Sequence, residues 1–138
     1  MFCQDTHSRC YLNQRNRLGS FFRVVVVAVV SVAGCGGATD DRPPKWSLIS
    51  ATIVEPSCAT VSCHSAITRR GGVDLHDRET GYYNLVNGFY VYPGNPGDSA
   101  VIALMNAQGS TRMPPDVPMS EADIALIASW ITAGAPNN

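Results

Sequence analysis

Charge is scarce in this chain. Asp, Glu, Lys and Arg together make up 15% of its 138 residues, and the formal net charge is −1. That balance excludes the basic footprint of a nucleic-acid binder and the acidic bias of a disordered tail. Catalytic signatures are missing as well. There is no glycine-rich phosphate loop and no G-x-S-x-G, so phosphoryl transfer on such a loop and nucleophile-elbow hydrolysis have no support. The pair Asp40-Asp41 reads as solvated linker charge. The one long apolar run, Phe21 to Ala33, is too short to span a bilayer as a helix. At 138 residues, with 45% hydrophobic residues, the chain is the size of one folded domain.

The apolar run has a meaning of its own. Before Cys35 the basic residues are Arg9, Arg15, Arg17 and Arg23, against Asp5 alone; from Cys35 onward ten acidic residues face six basic ones, a net of −4. A basic segment, a short apolar run and small residues form the pattern of a secretory signal, expected here over residues 1–34. Residues 1–17 exceed what such a signal needs and point to a start assigned too early. Val32-Ala33-Gly34-Cys35 resembles the lipobox of bacterial lipoprotein signals. That resemblance implies cleavage before Cys35, lipidation of Cys35, and an exported protein anchored at the bacterial cell envelope, on the periplasmic or outer-membrane side, without spanning. A plain secretory signal or an uncleaved anchor is the alternative. Residues 35–46, rich in Gly, Asp and Pro, read as a tether, and residues 47–138 as the folded domain.

Few cysteines then remain. Of five in the chain, Cys3 and Cys10 precede the apolar run and Cys35 takes the lipid, leaving Cys58 and Cys63 in an oxidising compartment. The domain itself reads as all-α: a small set of short helices joined by long loops. Ser47 can cap a helix to Glu55, which Pro56 ends, although its β-branched residues leave a strand reading open. Ser62 can cap a second from Cys63 to Arg70, stopped by Gly71-Gly72. A further helical turn fits within Val73–Asn87, before an Asn87-Gly88 turn. "FYVYPGNPG" is extended. Asp98 or Ser99 caps a helix to about Ala107, with Val101, Ile102, Leu104 and Met105 as its apolar face. Ser120 with Asp123 forms a capping box for the last helix, with Met119 stapled against Ile124. The narrow polar face of that helix predicts that most of it is buried. So much loop around so small a core predicts that something else, a cofactor or a disulfide, fills the middle.

The stretch "EPSCATVSCHS" bears on what that is. A c-type haem attachment reads C-x-x-C-H; this one reads C-x-x-x-x-C-H. Cys58 and Cys63 are five apart, about 140° around a helix, so both cannot project from one helical face. Cys63-His64 can keep the usual arrangement while Cys58 reaches in from an irregular loop. A haem iron also takes a second axial ligand, and Met113 lies in a proline-stiffened loop, "TRMPPD", without an obvious packing duty; Met105 reads as core and Met119 as a staple. Two other chemistries stay open. The thiols can pair as a disulfide, leaving His64 on the surface and Met113 packed. Cys58, Cys63, His64 and His76 can be counted as four metal ligands, although adjacent Cys-His ligands are awkward and His76 reads better as an exposed loop residue. Arg69, Arg70 and Arg112 suit helix ends or surface better than haem propionates.

Taken in order, "SCATVSCHS", "GGVDL", "YVYPGNPGDSAVIALM", "RMPP" and "MSEADIALIASWITAGAP" resemble a class I cytochrome c domain of the variety found in small bacterial lipoproteins. The resemblance covers about residues 47–136. It implies a haem c bound covalently by Cys58 and Cys63, with His64 as proximal and Met113 as distal iron ligand. It also implies that the first and last helices pack against each other beside the haem. The function it implies is one-electron transfer rather than enzymatic turnover, with a redox protein as a transient partner, the membrane reached through the lipid, and no nucleic acid. The four-residue gap between the cysteines departs from the usual pattern. The alternative is a disulfide-stapled lipoprotein that serves as a binding or structural module without haem.

Overall fold

A computed structural model describes residues 40–138. The expected signal peptide and Cys35 lie outside the described residues. The described chain is helical with no strand, in agreement with the all-α expectation.

The first helical segment runs through three kinds of turn: α1 (Trp46–Ile49), a π-helical turn (Ser50–Val54) and α2 (Glu55–Ser57). Pro56 explains the wide turn. Its ring crowds the carbonyl four residues back and it has no N–H to give, so the helix passes it by opening to i→i+5 bonding. The Glu55 N–H reaches the Ser50 carbonyl, and the Ser50 hydroxyl donates to the Glu55 carboxylate at 2.9 Å. Two expectations are corrected here. Pro56 does not end the helix, and Ser47 is not its cap. The helix starts at Trp46 behind Lys45, which makes no side-chain cap. Its open N–H groups are met by the far end of the chain: Trp46 N donates to Asn138 Oδ1 at 2.9 Å and Ser47 N to the Asn138 carbonyl at 2.8 Å. A helix start needs acceptors, but nothing requires that they come from nearby in sequence.

Trp46, counted with the tether from sequence, is fully buried. It stacks on Trp130 of α5 (Glu121–Thr132), centroids 5.0 Å apart. Tyr82 of α3 (Arg78–Asn87) meets both rings edge-on. Each ring's polar atom has a partner: Trp46 Nε1 donates to the Arg78 carbonyl, Trp130 Nε1 to that of Pro136, and the Tyr82 hydroxyl to that of Ala135. Buried Trp and Tyr are stable only when that is so. The packing of first and last helices that the resemblance implied is this stack.

Ser120 caps α5 as expected, accepting from Asp123 N at 3.1 Å. The reciprocal half of the box is altered. The Asp123 carboxylate takes the Ser120 hydroxyl at 2.7 Å and the Arg42 guanidinium at 2.7 Å. The helix is less buried than its composition suggested. Leu126, Ile127, Trp130 and Ile131 are inside, while Ala122 and Ala125 share the exposed face with the polar residues.

The segment expected as a single turn is the ten-residue α3, capped by Asp77, whose two carboxylate oxygens take the Thr80 N–H and hydroxyl at 2.9 Å each. Ser99 precedes α4 (Ala100–Asn106) without capping it. Its hydroxyl instead accepts from Tyr92 N and donates to the Asn95 carbonyl, pinning the extended aromatic segment. The helix expected from Cys63 to Arg70 is not formed; residues 61–68 are turns interrupted by a bend at Ser65. Side chains take the bonds a helix would have used. Ser65 Oγ accepts from Thr68 N, and the Ser65 and Thr68 hydroxyls both donate to the Val61 carbonyl, the competition by which Ser and Thr disfavour helix interiors.

Candidate cofactor site

Between the turns after α2, the face of α4 and the loop before α5 lies an open-mouthed cavity of about 110 Å³. Val73, Leu75, Leu85, Val101 and Leu104 give it an apolar wall. Cys58, Cys63, His64 and Met113, the residues singled out from sequence, all line it.

His64 is held from three sides. Its N–H donates to the Cys58 carbonyl at 3.1 Å, and its carbonyl accepts from Leu75 N at 2.8 Å. Its ring Nδ1 lies 3.3 Å from the Val73 carbonyl. A carbonyl only accepts, so Nδ1 carries the hydrogen and Nε2 keeps the lone pair, which is how a ligating imidazole is oriented from behind. Val73 and Leu75 entered the sequence reading only inside runs such as "GGVDL", without a role of their own, because both act through backbone atoms. The legible signal was Gly71-Gly72, read as a helix stop. Arg69, Gly71 and Gly72 all have positive φ (43°, 66° and 79°), and these left-handed residues turn the chain back past His64.

The longer cysteine gap costs the site nothing in reach. Thr60, Val61 and Ser62 are exposed and form an outward loop closed by the Cys63 N–H on the Thr60 carbonyl at 2.9 Å. Cys58 and Cys63 thus both line the cavity as free thiols. Their environments differ. Burial, then the neighbouring Cys63, pushes the Cys58 thiol up to about 11. Hydrogen bonds from Thr60 and Ser62 hold the Cys63 thiol below its ordinary value.

The four-ligand metal reading is corrected. His76 points away, its Nδ1 2.8 Å from Asp74 and its Nε2 2.7 Å from Asp77. Among the described residues no three His, Cys, Asp or Glu side chains are placed to hold a metal ion. Met105 belongs to the core, as expected, but it and Met119 also line the cavity, so packing alone does not set Met113 apart. What sets Met113 apart is its anchoring: its N–H donates to the Leu104 carbonyl at 3.0 Å, and the loop beyond it is tied by Arg112. Of the other arginines considered, Arg70 reaches the cavity wall and Arg69 pairs with Asp74 at 3.0 Å.

No curated protein and no solved structure matches the chain at a significant level. Residues 61–116 match the family described as Planctomycete cytochrome C. The match takes in Cys63, His64 and Met113 and begins after Cys58. It supports a cytochrome c-like domain in this chain, of the haem-binding electron-carrier class.

Proposed function

We propose that this protein is a lipid-anchored electron carrier holding a c-type haem through Cys58 and Cys63, with His64 and Met113 as axial ligands. One observation carries the reading. His64 is fixed through Nδ1 by the Val73 carbonyl, so that Nε2 is the nitrogen left for iron, in an apolar cavity shared with both thiols and a methionine. The residues present therefore fit the group: an imidazole and a thioether as ligands, two thiols for covalent bonding, and a wall without competing charge apart from Arg70.

A haem bound there supplies one-electron cycling between ferric and ferrous iron. The chain's own residues hold and orient. His64 and Met113 give the ligand pair that raises a haem potential, the aliphatic wall excludes water, and the cavity's mouth leaves a route for electrons to a redox protein docking through a small, transient interface. The same reading places the domain outside the cytoplasm, tethered by lipidated Cys35, with no role for nucleic acid and no substrate turned over.

The test is expression of the full chain with haem-maturation machinery, followed by the visible spectrum and intact mass. A Soret band with a covalent haem mass on a chain carrying both cysteines is expected. Loss of both signals, with Cys58 and Cys63 recovered as a disulfide, would instead support a stapled binding module. Met113→Ala is expected to alter the reduced spectrum.

A further inference from the structure

Met113 belongs to a loop that has little means of holding itself. Residues 112–117 form only bends, and Pro114 and Pro115 have no N–H to donate into a turn. Their carbonyls are nevertheless both engaged. The half-buried Arg112 side chain turns back over its own loop, Nε donating to the Pro114 carbonyl at 3.3 Å and Nη2 to the Pro115 carbonyl at 3.0 Å. With Met113 N bound to the Leu104 carbonyl, the backbone is tied on both sides of the methionine, and the Met113 side chain lines the cavity.

Geometry makes this an arginine's task. Two successive carbonyls are met by two donors of one rigid planar fork, which an ammonium on a flexible stem does not reproduce. The strap also bears on choice. Three thioethers line the cavity, so chemistry alone does not select among them; the stiffness of the segment that carries each one does.

We infer that Arg112 is a positioning residue for the distal ligand, its guanidinium locking the Pro114 and Pro115 carbonyls and so fixing how far the Met113 sulfur stands into the cavity. This rests on the reading of Met113 as an iron ligand. Loosening the strap raises the fraction of molecules in which the sulfur is withdrawn, and an external ligand then competes more easily.

The experiment uses the haem-loaded protein in its ferric form, titrated with imidazole and followed by visible absorption. Wild type is compared with Arg112→Lys, Arg112→Ala and Met113→Ala. Losing both hydrogen bonds is expected to tighten imidazole binding about tenfold in Arg112→Ala, towards the limit set by Met113→Ala. Arg112→Lys keeps the charge without the fork and is expected to fall between wild type and Arg112→Ala. Wild-type affinity in both Arg112 variants, with Met113→Ala binding more tightly, overturns the inference and leaves the ligand reading intact. Wild-type affinity in Met113→Ala overturns both. Should Arg112→Ala fail to fold, Arg112→Lys decides alone, since wild-type affinity there means that the fork is not what holds the methionine.

Discussion

Cys58 and Cys63 face the same cavity with different chemistry. The thiolate is the nucleophile, and burial keeps Cys58 protonated until about pH 11, whereas hydroxyl donors favour the thiolate of Cys63. In the haem-free chain, iodoacetamide at about pH 8 is expected to modify Cys63 faster than Cys58, as read by peptide mass mapping; equal rates would contradict the burial argument. Asp74 makes a second prediction at this scale. Burial by itself would raise its pKa, but bonds from the His76 ring and backbone, with the charges of His76 and Arg69, outweigh that and hold it below the ordinary 3.8. A depressed carboxylate stabilises the fold fully above the unfolded value and loses that contribution as pH falls through the folded one. Urea midpoints are therefore expected to drop as pH falls below roughly 4, and less steeply in Asp74→Asn; identical slopes would remove Asp74 from the account. His64 and Met113 were legible as residues. The carbonyl of Val73 was not, because every residue except its neighbours' turn chemistry is silent about where a backbone oxygen ends up.

Among the elements, α5 was the most legible, since its cap and apolar face are local signals. Its inner face carries the core. Trp130→Ala removes the ring stacked on Trp46 and is expected to cost about 3–5 kcal/mol, against about 1 kcal/mol for Ser120→Ala at the cap, both measured by chemical denaturation. Comparable losses would mean that the Trp46–Trp130 stack is not central. The segment after Cys63 failed as a helix for a stated reason: Ser65 and Thr68 spend hydroxyls on the Val61 carbonyl and a neighbouring N–H. Local propensity did not weigh that competition. The first helix failed at both ends, once because its cap comes from Asn138, and once because a π-helical turn lets the chain pass Pro56.

For the whole molecule the prediction concerns placement at a membrane. No helix among the described residues is long and apolar enough to cross one, and the proposed anchor, Cys35, lies outside them. The expected outcome is that the haem-loaded protein partitions with the membrane fraction of a bacterial host, while Cys35→Ser appears in the soluble fraction of the envelope. A Cys35→Ser chain that stays with the membrane would favour an uncleaved anchor over a lipid.

Sequence alone determined the kinds of group available and their order: two thiols, an imidazole directly after the second, a methionine 49 residues beyond that imidazole, and an apolar final helix. Those are properties of residue type and short spacing, which local rules describe. Tertiary structure decided what faces what. It brought Val73 behind His64 through three left-handed residues, sent His76 to the surface between two aspartates, and placed three methionines rather than one around the cavity. Contacts between distant segments depend on how the chain turns back, and the residues that make it turn do not announce what they bring together.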